Sequence, residues 1–80
     1  MVSEERRLEV GLTRREVEIL GLVAQGYSNA VMARMLWVTE QTVKFHLSNI
    51  YRKLDVANRT EASRWAHAHG LVPMAVPSTV

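Results

Sequence analysis

No cysteine occurs in the 80 residues, which excludes a disulfide framework and a thiolate metal site. The two prolines, Pro73 and Pro77, sit among small residues and mark 72–80 as a flexible tail. Aromatic residues make up 6% of the chain, too few for the exposed multi-aromatic platform that single-strand RNA readers use. No apolar run approaches the roughly 18 residues of a membrane span. The charged start of the chain holds no secretory core, so a soluble, cytoplasmic protein with no membrane contact is expected. A Ser-His-Asp set, paired carboxylates and a glycine-rich phosphate loop are also missing, so the chain is not expected to be an enzyme.

What remains is enough for one small domain. At 9.1 kDa there is no material for a second core. Residues 1–11 are polar and mixed in charge and read as a lead-in or linker end, which leaves 12–71 as the domain. Its periodicity is helical throughout, and no stretch shows the strict alternation of a strand. The expected fold is therefore all-α, with helices over 14–25, 29–36, 40–54 and 59–69.

Local signals set these boundaries. Thr13 and Glu16 form a capping box, with Leu12 and Val17 placed as a hydrophobic staple. Val17, Leu20, Val23 and Ala24 make the expected buried stripe of the first helix, and Gly26 supplies its left-handed stop. Ser28 or Asn29 starts a short second helix with Met32, Ala33 and Leu36 inward, and Met35 is read as further core filling. Trp37 is expected to pack at the following turn. Thr39 caps the third helix, helped by a Val38–Val43 staple. Asn58 and Glu61 form a second capping box, and Ala62, Trp65, Ala66 and His69 make the inward stripe of the fourth helix.

At about 100° per residue, Val43, Leu47, Ile50 and Leu54 fall on one line of the third helix, the core face. Gln41, Phe45, Ser48 and Arg52 lie opposite, flanked by Lys44 and Asn49. Net charge is only +2, yet Lys44, Arg52, Lys53 and Arg59 stand against a single acid, Asp55, in this part of the chain. A short helix, a tight connection and a longer helix with a polar, basic outer face make a helix-turn-helix. On such a helix, Lys44 can donate to guanine, Phe45 can meet a thymine methyl, and Gln41 and Ser48 can reach base edges. Thr42 near the helix start, Asn49, and the cations Arg52, Lys53 and Arg59 suit phosphates.

The segments Leu12-Thr13-Arg14-Arg15-Glu16, Gly26-Tyr27-Ser28-Asn29, Thr42-Val43-Lys44-Phe45-His46, Asn49-Ile50, Lys53-Leu54 and Asn58-Arg59-Thr60-Glu61-Ala62 resemble the LuxR-type (GerE-type) helix-turn-helix domain. The resemblance implies a wingless four-helix domain, part of a transcription regulator or its C-terminal effector domain, whose third helix reads double-stranded DNA. It also implies that Lys44 and Phe45 face bases, with Ser48 one turn later. It further implies a homodimer through the fourth helix on an inverted repeat, for which Trp65, Ala62 and His69 are the candidate residues. RNA polymerase is a further expected contact. In this family the domain commonly follows a phosphoacceptor receiver or a small-ligand binder, as in response regulators. Two departures stand out: Ala30-Val31 replaces a polar-acidic pair, and Asp55 stands where glycine is common after the third helix.

The competing reading is a protein-interaction module that keeps the fold without reading DNA. It predicts an outer face of the third helix stripped of cations and hydroxyls, and this sequence retains them. His46 at the edge of the core face reads as a packed structural histidine. His67 and His69 lie about 200° apart on their helix, so no metal site, cofactor or small-molecule ligand is expected.

Overall fold

The computed structural model describes residues 11–71, so the expected tail and all but the last residue of the lead-in lie outside the described residues. Four helices make up the described fold: α1 (Arg14–Ala24), α2 (Asn29–Leu36), α3 (Glu40–Leu54) and α4 (Arg59–Ala68).

Each helix begins on a side-chain cap. The hydroxyls of Thr13, Ser28 and Thr39 and the amide oxygen of Asn58 accept the backbone N–H of Glu16, Val31, Thr42 and Glu61 respectively. A cap of this kind contributes about 1 kcal/mol, a large share for helices this short. At α1 the box is reciprocal, because the Thr13 N–H donates to Glu16 Oε1 at 2.9 Å. At α4 the expected box is altered. The Glu61 carboxylate accepts from Ala57 N–H, one residue before the cap, at 2.8 Å.

Each helix also ends the same way. A left-handed residue follows the last turn, at Gly26 (φ 96°), Trp37 (φ 60°), Asp55 (φ 56°) and Gly70 (φ 70°). The next residue donates back to a carbonyl five positions earlier: Tyr27 to Leu22, Val38 to Ala33, Val56 to Tyr51 and Leu71 to Ala66, at 2.9–3.2 Å. These are Schellman closures, and the apolar residue after each left-handed position can fold against the helix it ends. Val38, Val56 and Leu71 do pack on the core. Asp55 thus makes the left-handed closure expected of a glycine there.

The core lies where all four helices meet. α1 packs most heavily on α4 and also on α3, while α2 packs on α3. Ile19, Leu20, Met32, Val43, Ile50, Ala62 and Ala66 are fully buried, with Leu12, Val23, Ala33, Leu47 and Leu54 nearly so. Fully burying a Leu or Ile side chain is worth about 1.5–3 kcal/mol, so this cluster holds helices that would be marginal alone. The α3 face is as the periodicity predicts.

The α1 face is not. Ile19 is its deepest residue together with Leu20, and Val17 and Ala24 are only half-buried at its flanks. The helix is rolled toward Ile19, with Glu16 buried on the same side. Met35 is also 46% exposed instead of filling the core. Trp37, expected to pack, is 93% exposed. Its left-handed backbone closes α2 and turns the indole outward, leaving Val38 to cover the core.

Candidate nucleic-acid interface

α3 is a helix with one face committed to the core. Val43, Leu47, Ile50 and Leu54 are buried, so the opposite face is fixed outward with no freedom to roll. Gln41, Lys44, Phe45, Ser48 and Arg52 are exposed, and Thr42 and Asn49 are half-exposed at the edges. The sequence-predicted reading residues therefore come together on one surface. Phe45 keeps 63% of its area in solvent. Its ring meets that of half-buried His46 edge-on, with centroids 5.9 Å apart.

The residues around this face are already oriented. The Thr39 and Thr42 hydroxyls lie 3.0 Å apart at the helix start, and the Arg52 guanidinium donates to Asn49 Oδ1 at 3.2 Å. Arg52 is thus exposed beside the outer face with one of its donors on Asn49.

Two of the expected phosphate residues are placed differently. Lys53 turns its ammonium onto Glu16 Oε1 at 2.7 Å, tying α3 to the first turn of α1. Glu16 is 3% exposed. Its burial raises the carboxyl pKa, but the Lys53 hydrogen bond, the Thr13 backbone bond and the Lys53 charge outweigh that and hold it below its ordinary value. Arg59, at the start of α4, donates to Asn29 Oδ1 at 2.9 Å and to the Tyr27 carbonyl oxygen, so it fixes the start of α2. Sequence reasoning missed both links because they join residues 37 and 30–32 positions apart.

On α4, Trp65 and His69 stack with ring centroids 3.8 Å apart and planes 12° from parallel, and both are half-buried. His69 Nδ1 also lies 2.8 Å from the Trp65 carbonyl oxygen. Ala62, grouped with them as a candidate dimer residue, has no exposed area at all. It packs inward where α4 approaches the other helices and offers nothing to a second copy. His67 is pointed elsewhere, with Nε2 3.3 Å from the Ala24 carbonyl oxygen at the end of α1. Among the described residues, no helix is long and apolar enough to cross a membrane.

The chain resembles known regulators over most of this fold. It is 49% identical over 61 residues to the transcriptional regulatory protein LiaR of Bacillus subtilis (strain 168), a match covering 76% of this chain and 29% of that protein. It is 51% identical over 61 residues to the response regulator proteins VraR of Staphylococcus aureus (strain NCTC 8325 / PS 47) and Staphylococcus epidermidis, with the same coverage. The chain thus spans 29% of the length of these curated relatives. Residues 10–66, which contain three of the helices and most of the fourth, match the GerE family, and this chain belongs to that luxR family of bacterial regulatory proteins.

Proposed function

We propose that this chain is the sequence-specific, double-stranded-DNA-binding part of a transcription regulator, with α3 lying in the major groove. The observation that carries the reading is the division of α3. One face is locked into the core by Val43, Leu47, Ile50 and Leu54, while Gln41, Lys44, Phe45 and Ser48 stand outward and exposed on the other. A helix held this way presents a fixed set of donors and one apolar ring, the chemistry that base edges require.

In this reading Lys44 donates to guanine O6 or N7 and Phe45 covers a thymine methyl, with Gln41 and Ser48 reaching adjacent base edges. Thr42, Asn49 and Arg52 take phosphates along the groove. Lys53 and Arg59 act one step back: their contacts with Glu16 and with the start of α2 set the angle at which α3 is offered. Their charge still adds to the attraction for the duplex.

One such domain makes few base contacts, each good bidentate pair discriminating by about 1–3 kcal/mol. Two copies on an inverted repeat supply the rest, paired through the α4 surface around the Trp65–His69 stack. As in the relatives named as transcriptional and response regulators, the chain would act as the effector part of a longer regulator. Selection from random duplexes tests the function directly. The expected product is a two-fold symmetric site of fixed half-site spacing, bound with a steep salt dependence. Recovery of no enriched sequence, with a flat salt response, would contradict it.

A further inference from the structure

Trp37 contributes little to the fold that holds it. Its side chain is 93% exposed, and its backbone at φ 60° occupies the left-handed region that bulky residues rarely adopt. The Schellman closure it provides is one that glycine or asparagine makes at lower strain. An indole normally gains by burial, so an exposed one on a strained backbone points to an interaction outside the monomer.

The position of Trp37 says which partner fits. It sits in the connection of the helix-turn-helix, two residues before Thr39, the cap of α3. It therefore lies at the same end of α3 as Gln41, Lys44 and exposed Phe45. Exposed Arg34, in the last turn of α2, and Lys44 are the cations nearest in sequence, against one acid, Glu40. In a helix-turn-helix the second helix brings its N-terminal residues to base edges while the first crosses the duplex backbone, so the turn between them lies beside that backbone. An indole there offers one N–H donor and a broad apolar face, matching a phosphate oxygen and the deoxyribose beside it.

We infer that Trp37 is a further DNA contact, a clamp on the sugar-phosphate backbone flanking the bases that α3 reads. The Nε1–H donates to a phosphate oxygen and the ring lies against the adjoining sugar. This inference rests on the DNA-reading assignment of α3, extending its footprint onto the turn. Backbone contacts of this kind fix register without specifying a base. Trp37 therefore strengthens binding to preferred and non-preferred duplexes alike, whereas Lys44 strengthens the preferred one.

The test uses the duplex selected by the wild-type chain and compares wild type, Trp37→Asn, Trp37→Phe and Lys44→Ala. Trp37→Asn keeps a residue suited to the left-handed turn, so its thermal midpoint should equal or exceed that of wild type. Its affinity should fall about threefold to tenfold, the range of one lost hydrogen bond, on selected and unrelated duplexes alike. Trp37→Phe should fall between the two. On saturation with duplex, the indole emission that Trp37→Asn removes should shift and become shielded from acrylamide.

Full affinity in Trp37→Asn, with Lys44→Ala still weakened, would overturn the clamp while leaving the reading helix in place and would assign the indole to a protein partner. Unchanged acrylamide access to Trp37 in the saturated complex would overturn it too, whatever the variants do. Loss of preference for any duplex by the wild-type chain would remove the DNA-reading assignment itself, and the clamp with it.

Discussion

Glu16 and Lys53 lie 37 positions apart in the chain and 2.7 Å apart in space, and their contact ties the last turn of α3 to the first turn of α1. Lys53 belongs to the last turn of α3 and Glu16 to the first turn of α1, where the same carboxylate also receives the Thr13 N–H. One side chain thus joins a helix cap to the far end of the helix proposed to enter the groove. The pair is asymmetric. Glu16 is almost fully buried, whereas 27% of the Lys53 side chain reaches solvent.

Removal of the two partners should therefore have unequal effects. Lys53→Met leaves a buried carboxylate without its cation and should cost about 3 kcal/mol. Glu16→Gln leaves a lysine able to rehydrate and keeps an acceptor for Thr13, so it should cost about half as much, within the range of one charged hydrogen bond. Urea unfolding of both variants measures this. Equal, negligible losses would show the contact to be incidental.

The same pair sets an acid limit. The Glu16 carboxyl titrates below its ordinary value of 4.5 in the folded chain, so the unfolded chain binds the proton first as pH falls. The contribution is thus fully present above that ordinary value and is lost as pH drops through the lower, folded one. The thermal midpoint should decline on acidification below about pH 5, and Glu16→Gln should flatten that part of the curve. Superimposable profiles of wild type and variant would place the acid sensitivity elsewhere.

Arg59 is predicted to stabilise the chain without any DNA present. Its guanidinium reaches both Asn29 and the Tyr27 carbonyl, a forked geometry that lysine cannot reproduce. Arg59→Ala should lower stability by about 1–2 kcal/mol, and Arg59→Lys should recover little of it. An unchanged thermal midpoint combined with a shallower salt dependence of DNA binding would make Arg59 a simple phosphate contact.

Asp55 is a site where the fold can be improved. It holds φ 56° at the end of α3, where its negative charge also faces the wrong end of the helix dipole. Asp55→Gly removes both costs and should raise stability by about 1 kcal/mol. Calorimetry reads this as a higher midpoint. A lower one would mean that the carboxylate makes a contact worth more than the strain.

Much of this was legible from sequence, and the failures have a common cause. Caps are local: Thr13, Thr39 and Asn58 each act within three residues, so helix boundaries could be read to about one residue. The α3 stripe was legible because it carries no polar residue. On α1 Leu20 and Val23 were placed correctly, but Ile19 was missed because Glu16 lies inside the stripe and a periodicity argument treats glutamate as solvent-facing; its distant lysine and the Thr13 N–H make that burial tolerable. Size suggested that Trp37 packs, but the closure of α2 fixed its direction instead. The shared outward face of Gln41, Lys44, Phe45 and Ser48 was legible from spacing, whereas the contacts of Lys53 and Arg59 depend on partners that no local pattern reveals.

The outer face of α3 is proposed to read bases through Lys44. This role is tested most directly by the affinity of Lys44→Ala for the duplex selected by the wild-type chain, at fixed salt, with each base pair of the half-site varied in turn. The expected result is a loss of about 1–3 kcal/mol, with discrimination relaxed at one guanine position and kept at the others. Equal affinity and an unaltered preference at every position would contradict it.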